Sequence, residues 1–250
     1  MKKSFDLSSK SIFSQKDKRL DVNYWIQQHI TYDDYISFDD IFEIVESETP
    51  QFNELPDDFD YCEIGHLNSK GELNPVHIFL NEIGNEDNDD LKIYNKIFSK
   101  DRSENDKTDD ITIVNVDEIL IAKTRPLLNK IVHIHNNEYE DNSKYYYTKA
   151  FFRIRMKDEN VSSVMGYYLL KYVLNDELVS IAKIGKSGYP AINKNDLSLI
   201  RIPLKYNKIS NKKINEEINE QFLDDLQVMY ELKEKRKSIQ NSIKAKIKKL

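Results

Sequence analysis

The segment IAKIGKSGYP, residues 181–190, contains Gly185-Lys186-Ser187, the last three residues of a phosphate-cradling loop. Such a loop needs a second glycine five positions earlier, so that backbone N–H groups converge on the phosphates, and a helix opening directly behind it. Ser180 holds the glycine position, and Gly188 and Pro190 follow where the helix should begin. A nucleotide loop is therefore excluded. The segment reads as a turn that offers Lys186, Ser187 and Tyr189 as contacts. The histidines are His29, His66, His77, His133 and His135. His133 and His135 stand two apart and share a strand face. Neither Cys62 nor any other side chain closes a set at metal-ligand spacing. They are expected to be exposed strand histidines, with no metal site. Cys62, inside FDYCEIG, is expected to be a small buried residue. Nucleophile-elbow, zincin and dinucleotide motifs are missing, and the carboxylates crowd into acidic loops, so a catalytic site is not expected.

Basic and aromatic residues stand instead at the ends of apolar runs. Lys123, Thr124 and Arg125 follow EILIA; Lys149, Arg153 and Arg155 stand in YTKAFFRIR; His66, Asn68 and Lys70 lie on the turn after FDYCEIG. Such side chains suit contacts to phosphates and to base edges. Net charge is −6, but residues 144–250 hold 22 Lys and Arg against 12 Asp and Glu. A basic half beside an acidic half is compatible with a local polyanion footprint.

Short runs rich in Ile, Val, Tyr and Phe must position these residues. IFEIVES, FDYCEIGHL, ITIVNV, EILIAK, KIVHIH and YYYTKAFFRIR read as strands. In the last, Phe152, Ile154 and Met156 alternate with Arg153 and Arg155, which are expected to point away from the apolar face. VSSVMGYYLLKYVL (161–174) reads as a buried helix. Residues 1–40 form a lead-in with a short helix around Trp25 and Ile26, and 81–110 an acidic insertion with a short helix near LKIYNKIF. Residues 211–250 contain neither Gly nor Pro and repeat Ile214, Ile218, Phe222, Met229, Leu232, Ile239, Ile243 and Leu250 at helical spacing. This predicts one amphipathic helix with a coiled-coil-like seam, interrupted by Asp225 and Arg236. A helix of about 35 residues runs about 50 Å, too far to bury its stripe on its own domain, which implies a second helix. The class is α+β: a β-rich domain with packed helices over 1–208, then a long coiled-coil-type helix over 209–250. The lone cysteine, the missing apolar N-terminal segment and the missing bilayer-length apolar run point to a cytoplasmic protein without a membrane partner.

Four ordered elements resemble the specificity subunits of type I restriction–modification systems: YCEIGHLNSKGEL; VNVDEILIAKTRPLLNK, with Asp117, Leu120 and Pro126 in register with the family's pattern; KAFFRIR followed by an apolar helix and GKSGYPAINKNDLSLIRIPL; and INEQF at the start of the long helix. The resemblance runs from KRLDVNYW to the C-terminus. It implies a target-recognition domain that binds double-stranded DNA and docks a DNA adenine methyltransferase, with an ATP-dependent restriction subunit as a further partner. It also implies no catalysis by this chain: the cofactor S-adenosylmethionine would sit on the methyltransferase. One domain and one helix make a half-subunit, completed by a second copy or a second half through the helix. Within that reading Lys123, Arg125 and Lys186 are expected to meet phosphates. The alternative is a non-catalytic interaction module that dimerises through the same helix.

Overall fold

The computed structural model describes residues 35–80, 110–135, 145–185, 188–203 and 211–247. The expected lead-in helix around Trp25, the helix near LKIYNKIF, and Lys186, Ser187 and Leu250 lie outside the described residues.

Two four-stranded sheets carry the fold. The first contains β2 (Phe42–Val45), β9 (Phe151–Met156), β6 (Ile119–Ala122) and β7 (Ile131–His133), in the order β2-β9-β6-β7, all antiparallel. The second contains β4 (Val76–Phe79), β3 (Asp58–Cys62), β8 (Tyr145–Thr148) and β5 (Ile111–Val114), in the order β4-β3-β8-β5, with β3 and β8 parallel. YYYTKAFFRIR is thus two strands: the Lys149-Ala150 turn carries the chain from one sheet to the other. Two small antiparallel pairs complete the strands of the described residues, β1 (Tyr35–Ser37) with β12 (Arg201–Pro203) and β10 (Lys183–Ile184) with β11 (Pro190–Ala191).

Register explains the core. Ile119 pairs Ile154 and His133, and Ile121 pairs Phe152 and Ile131, which sets these apolar side chains on one face of the first sheet. Helices cover that face: α1 (Phe38–Ile41), α2 (Ser163–Tyr168), α3 (Asn175–Ile181) and α4 (Lys194–Leu197). Leu120, Ala122, Val132 and Phe151 point the other way and meet Cys62, Val114 and Tyr147 of the second sheet. A third cluster, including Phe59, Tyr61, Ile78, Ile111 and Tyr146, is built largely from the second sheet.

The expected apolar helix over 161–174 is α2 continued by a π-helical turn, Leu169–Val173. Ser162 caps it, its hydroxyl accepting from the Met165 N–H at 3.1 Å. Gly166 lets α2 lie close on the sheet: a Cβ there would stand 2.3 Å from Met156 Sδ and 3.2 Å from Phe42.

The long helix α5 runs from Lys212 to Ile247, 36 residues. Its first turns dock on the domain. Asn215 accepts the Ser162 N–H at 3.0 Å. Phe222 packs edge-on against His133, with ring centroids 5.4 Å apart, and against His135 at 5.8 Å. Ile218 and Phe222 therefore leave the expected partner-facing seam: the domain itself covers them. Ile214, Met229, Leu232, Ile239 and Ile243 are exposed. So are Leu223 and Val228, which spacing did not single out.

Candidate nucleic-acid interface

Strand direction brings most of the singled-out residues to one end of the two sheets. β6 ends there at Ala122, paired with Phe151, the first residue of β9. β8 ends there, and β3, parallel to it, leaves into the turn of His66, Asn68 and Lys70. β7 starts there after Lys130. Lys123, Thr124, Arg125, Lys149, His66, Asn68 and Lys70 thus share one end although His66 and Lys149 stand 83 positions apart. Tyr189 joins them, because β11, which directly follows it, is bonded to the 123–125 segment. Arg125 N–H donates to Pro190 O at 2.7 Å, Ile192 N–H to Lys123 O at 2.8 Å, and Thr124 bridges Ala191.

The loops are held by their own backbone chemistry. Arg125 and Asn129 take left-handed φ of 55° and 48° around the short 3₁₀ turn Pro126–Leu128, where proline pre-sets the first helical position. Asn129 Nδ2 donates to Lys171 O at 3.0 Å, and the buried Lys171 ammonium donates to Ile131 O at 3.0 Å. Burial pushes the Lys171 pKa down to about 8. Lys130 Nζ donates to Ile64 O at 2.6 Å, which ties this loop to the His66 turn. There His66 Nδ1 accepts the Glu63 N–H at 3.1 Å, and Asn68 Oδ1 accepts from Lys70 and Glu72 N–H. His66 and Asn68 therefore shape the turn, while Lys70 is exposed at its tip.

The basic groups at this end differ in freedom. The Lys123 ammonium is half-buried, donates to Lys149 O, and has its pKa lowered by desolvation. Arg125 is exposed, with its guanidinium carbon 3.8 Å from the centre of the exposed Tyr189 ring. Beside it Leu127 is 75% exposed and Leu128 43%. These two leucines were missed by sequence reasoning. The signal for them was an apolar pair inside a proline-led loop.

Arg153 and Arg155 belong to a different place. Arg153 does point away from the helix-covered face, but that direction leads to the second sheet rather than to solvent. It is 3% exposed, donates from Nε and Nη2 to Glu118 at 2.7 and 2.8 Å, and caps Glu46 O from Nη1 at 2.8 Å. Arg155 is more exposed and donates to the same carboxylate at 2.6 Å. As a DNA contact Arg153 is thus corrected: it neutralises a fully buried glutamate. His133 is corrected too. It is buried, with Nε2 2.8 Å from Ser163 Oγ, and burial holds its pKa down at about 4. Ser163 in turn donates to Asp117 at 3.0 Å. The carboxylate engages the serine and not the histidine's far nitrogen, Nδ1, which has no partner among the described residues, so the order of a nucleophilic triad is not met. Cys62 is buried as expected, with its thiol pushed up to about 12 by desolvation.

No family model matches the sequence, and no curated protein matches it closely. Solved structures similar to it include the following three. One comes from a study of complex assembly and conformational transition of the type I restriction–modification system; it shares 16% identity over 80% of this chain and 47% of its own length, with a TM-score of 0.48. The HsdS subunit from Thermoanaerobacter tengcongensis shares 16% identity over 78% of this chain and 44% of that one, with a TM-score of 0.44. The S subunit of a type I restriction–modification system from M. genitalium shares 11% identity over 82% and 44%, with a TM-score of 0.43. The chain spans less than half the length of each. No described helix is long and apolar enough to cross a membrane.

Proposed function

We propose that this chain is a DNA sequence-recognition subunit of a restriction–modification system, itself non-catalytic, which binds double-stranded DNA and docks an adenine methyltransferase. The observation that carries the reading is the gathering of Lys70, Lys149, Arg125 and Tyr189 at one end of the sheets, in loops whose sequence elements occur in the order of the specificity-subunit family. Loops presented by a rigid two-sheet frame are where a recognition surface is expected. Lys186 and Ser187, adjacent to Tyr189 in the chain, belong to the same proposed surface by sequence alone. S-adenosylmethionine would be held by the methyltransferase, and an ATP-dependent restriction subunit would be a further partner. The helix α5 would supply the pairing surface for a second copy or a second half-subunit.

Fluorescence anisotropy with labelled duplex DNA tests this, with the chain alone and co-purified with its methyltransferase. Counterion release requires log affinity to fall linearly with log salt, with a slope near −0.9 per phosphate neutralised, of the order predicted for duplex DNA. No binding in either form refutes DNA recognition.

The exposed apolar residues of α5 favour a second reading, an interaction module that pairs through Met229, Leu232, Ile239 and Ile243 without DNA. Self-association in light scattering together with absent DNA binding would select it.

A further inference from the structure

We propose, resting on the DNA-recognition reading above, that Arg125 reads a base edge rather than a phosphate, and that Tyr189 is the positioning residue that aims it. Four features define the setting of Arg125 at this end, and the left-handed backbone and the aromatic stack set it apart from the other cations there. Its backbone takes φ of 55°, a left-handed conformation uncommon for a non-glycine residue. Its N–H is fixed on Pro190 O at 2.7 Å. Its guanidinium lies 3.8 Å from the Tyr189 ring centre. Leu127, two positions on, stands 75% exposed.

A phosphate contact needs none of this. An ammonium on a flexible stem serves as a point charge, and the exposed Lys70 is of that kind. Stacking on an aromatic face instead restricts the guanidinium to a plane while leaving its N–H edges open. That suits a bidentate donor to a guanine edge in the major groove. An apolar side chain beside it suits the less polar parts of the groove, such as a thymine methyl. Lys123 and Lys130 do not compete for the role, since both ammonium groups are already on backbone carbonyls, Lys149 O and Ile64 O. The ligand class is therefore duplex DNA carrying one required G·C pair opposite Arg125.

Selection from a pool of duplexes with a randomised centre tests the assignment, using the full chain, Arg125→Lys and Tyr189→Ala, each alone and co-purified with the methyltransferase. Arg125→Lys keeps the charge and loses the fork. It is expected to lose about tenfold of discrimination or more at one G·C position, in the range of a bidentate base contact, with the salt slope unchanged. Tyr189→Ala should relax the same position and no other. Arg125→Ala, at an exposed site outside the core, gives the same readout should the lysine stack as arginine does. If the wild-type chain selects a motif and all three variants select it with equal stringency, Arg125 reads no base. If the wild-type chain selects no motif in either form, the DNA-recognition reading itself falls.

Discussion

Arg125 and Arg153 are the same residue type, each adjoining the apolar run of a strand in the first sheet, yet the molecule uses them in opposite ways. Arg125 stands beyond the end of β6, where pairing within the first sheet has stopped and a loop held to Pro190 by the Arg125 N–H presents its side chain to solvent. Arg153 sits opposite Leu120 in mid-strand, in the layer between two sheets, where a charge is tolerable only beside Glu118. Alternation along a strand says which face a side chain occupies. It does not say whether that face meets water or a second sheet.

The largest consequence of the contrast is in stability. Arg153→Ala should cost about 3–5 kcal/mol in urea unfolding, because it removes one of the two arginines that compensate a fully buried glutamate. Arg125→Ala, at an exposed site, should stay within about 0.5 kcal/mol. Equal costs would mean that Glu118 is not held by Arg153 as described. Along α5 the same contrast recurs. Phe222→Ala, which empties a site among His133, His135 and Tyr168, should cost about 3 kcal/mol. Ile239→Ala should leave the stability of the single chain within about 0.5 kcal/mol, while lowering any concentration-dependent stability that a paired helix confers.

His133 gives a pH-dependent form of the contrast. Burial lowers its pKa from 6.5 to about 4, so below pH 6.5 the unfolded chain binds a proton that the folded chain refuses. This part of the stability is fully present above pH 6.5, is lost progressively as pH falls towards 4, and levels off below. Thermal melts across that range should show the loss in the wild type and its attenuation in His133→Phe. A parallel decline in both would assign the effect to other groups.

What the sequence showed followed from period and punctuation. The strands Phe42–Val45, Ile111–Val114, Ile119–Ala122 and Ile131–His133, the helix after Val161 and the long terminal helix all lie where apolar spacing and turn residues put them. What it did not show came from tertiary pairing. The second sheet, with β3 parallel to β8 across more than 80 residues of chain, packs on the face that Arg153 shares with Leu120; no local pattern announces it. The burial of His133 and the capture of Phe222 have one cause, the docking of α5 on α2 and the end of β7, and that contact joins segments distant in sequence. At the loop end, residue types were legible, because basic and aromatic side chains beside Pro126 and Pro190 are visible in any order. Which of them are spent on backbone carbonyls was not.

The smallest expected effect separates two lysines within the loop end itself. Lys70 is exposed on a turn that Asn68 holds through the Lys70 and Glu72 N–H groups. Lys123 has its ammonium on Lys149 O, with Phe152 beneath it at 5.2 Å and burial opposing its charge. A phosphate reached by Lys70 would release counterions, so Lys70→Ala should reduce the salt slope of DNA binding by about one and weaken all sequences alike. Lys123→Ala should leave the slope nearly unchanged, because reaching a phosphate would first require breaking the bond to Lys149 and exposing the hydrophobic stem. A full unit of slope lost on Lys123→Ala would show that this lysine swings out on binding, and that the loop end rearranges to meet DNA.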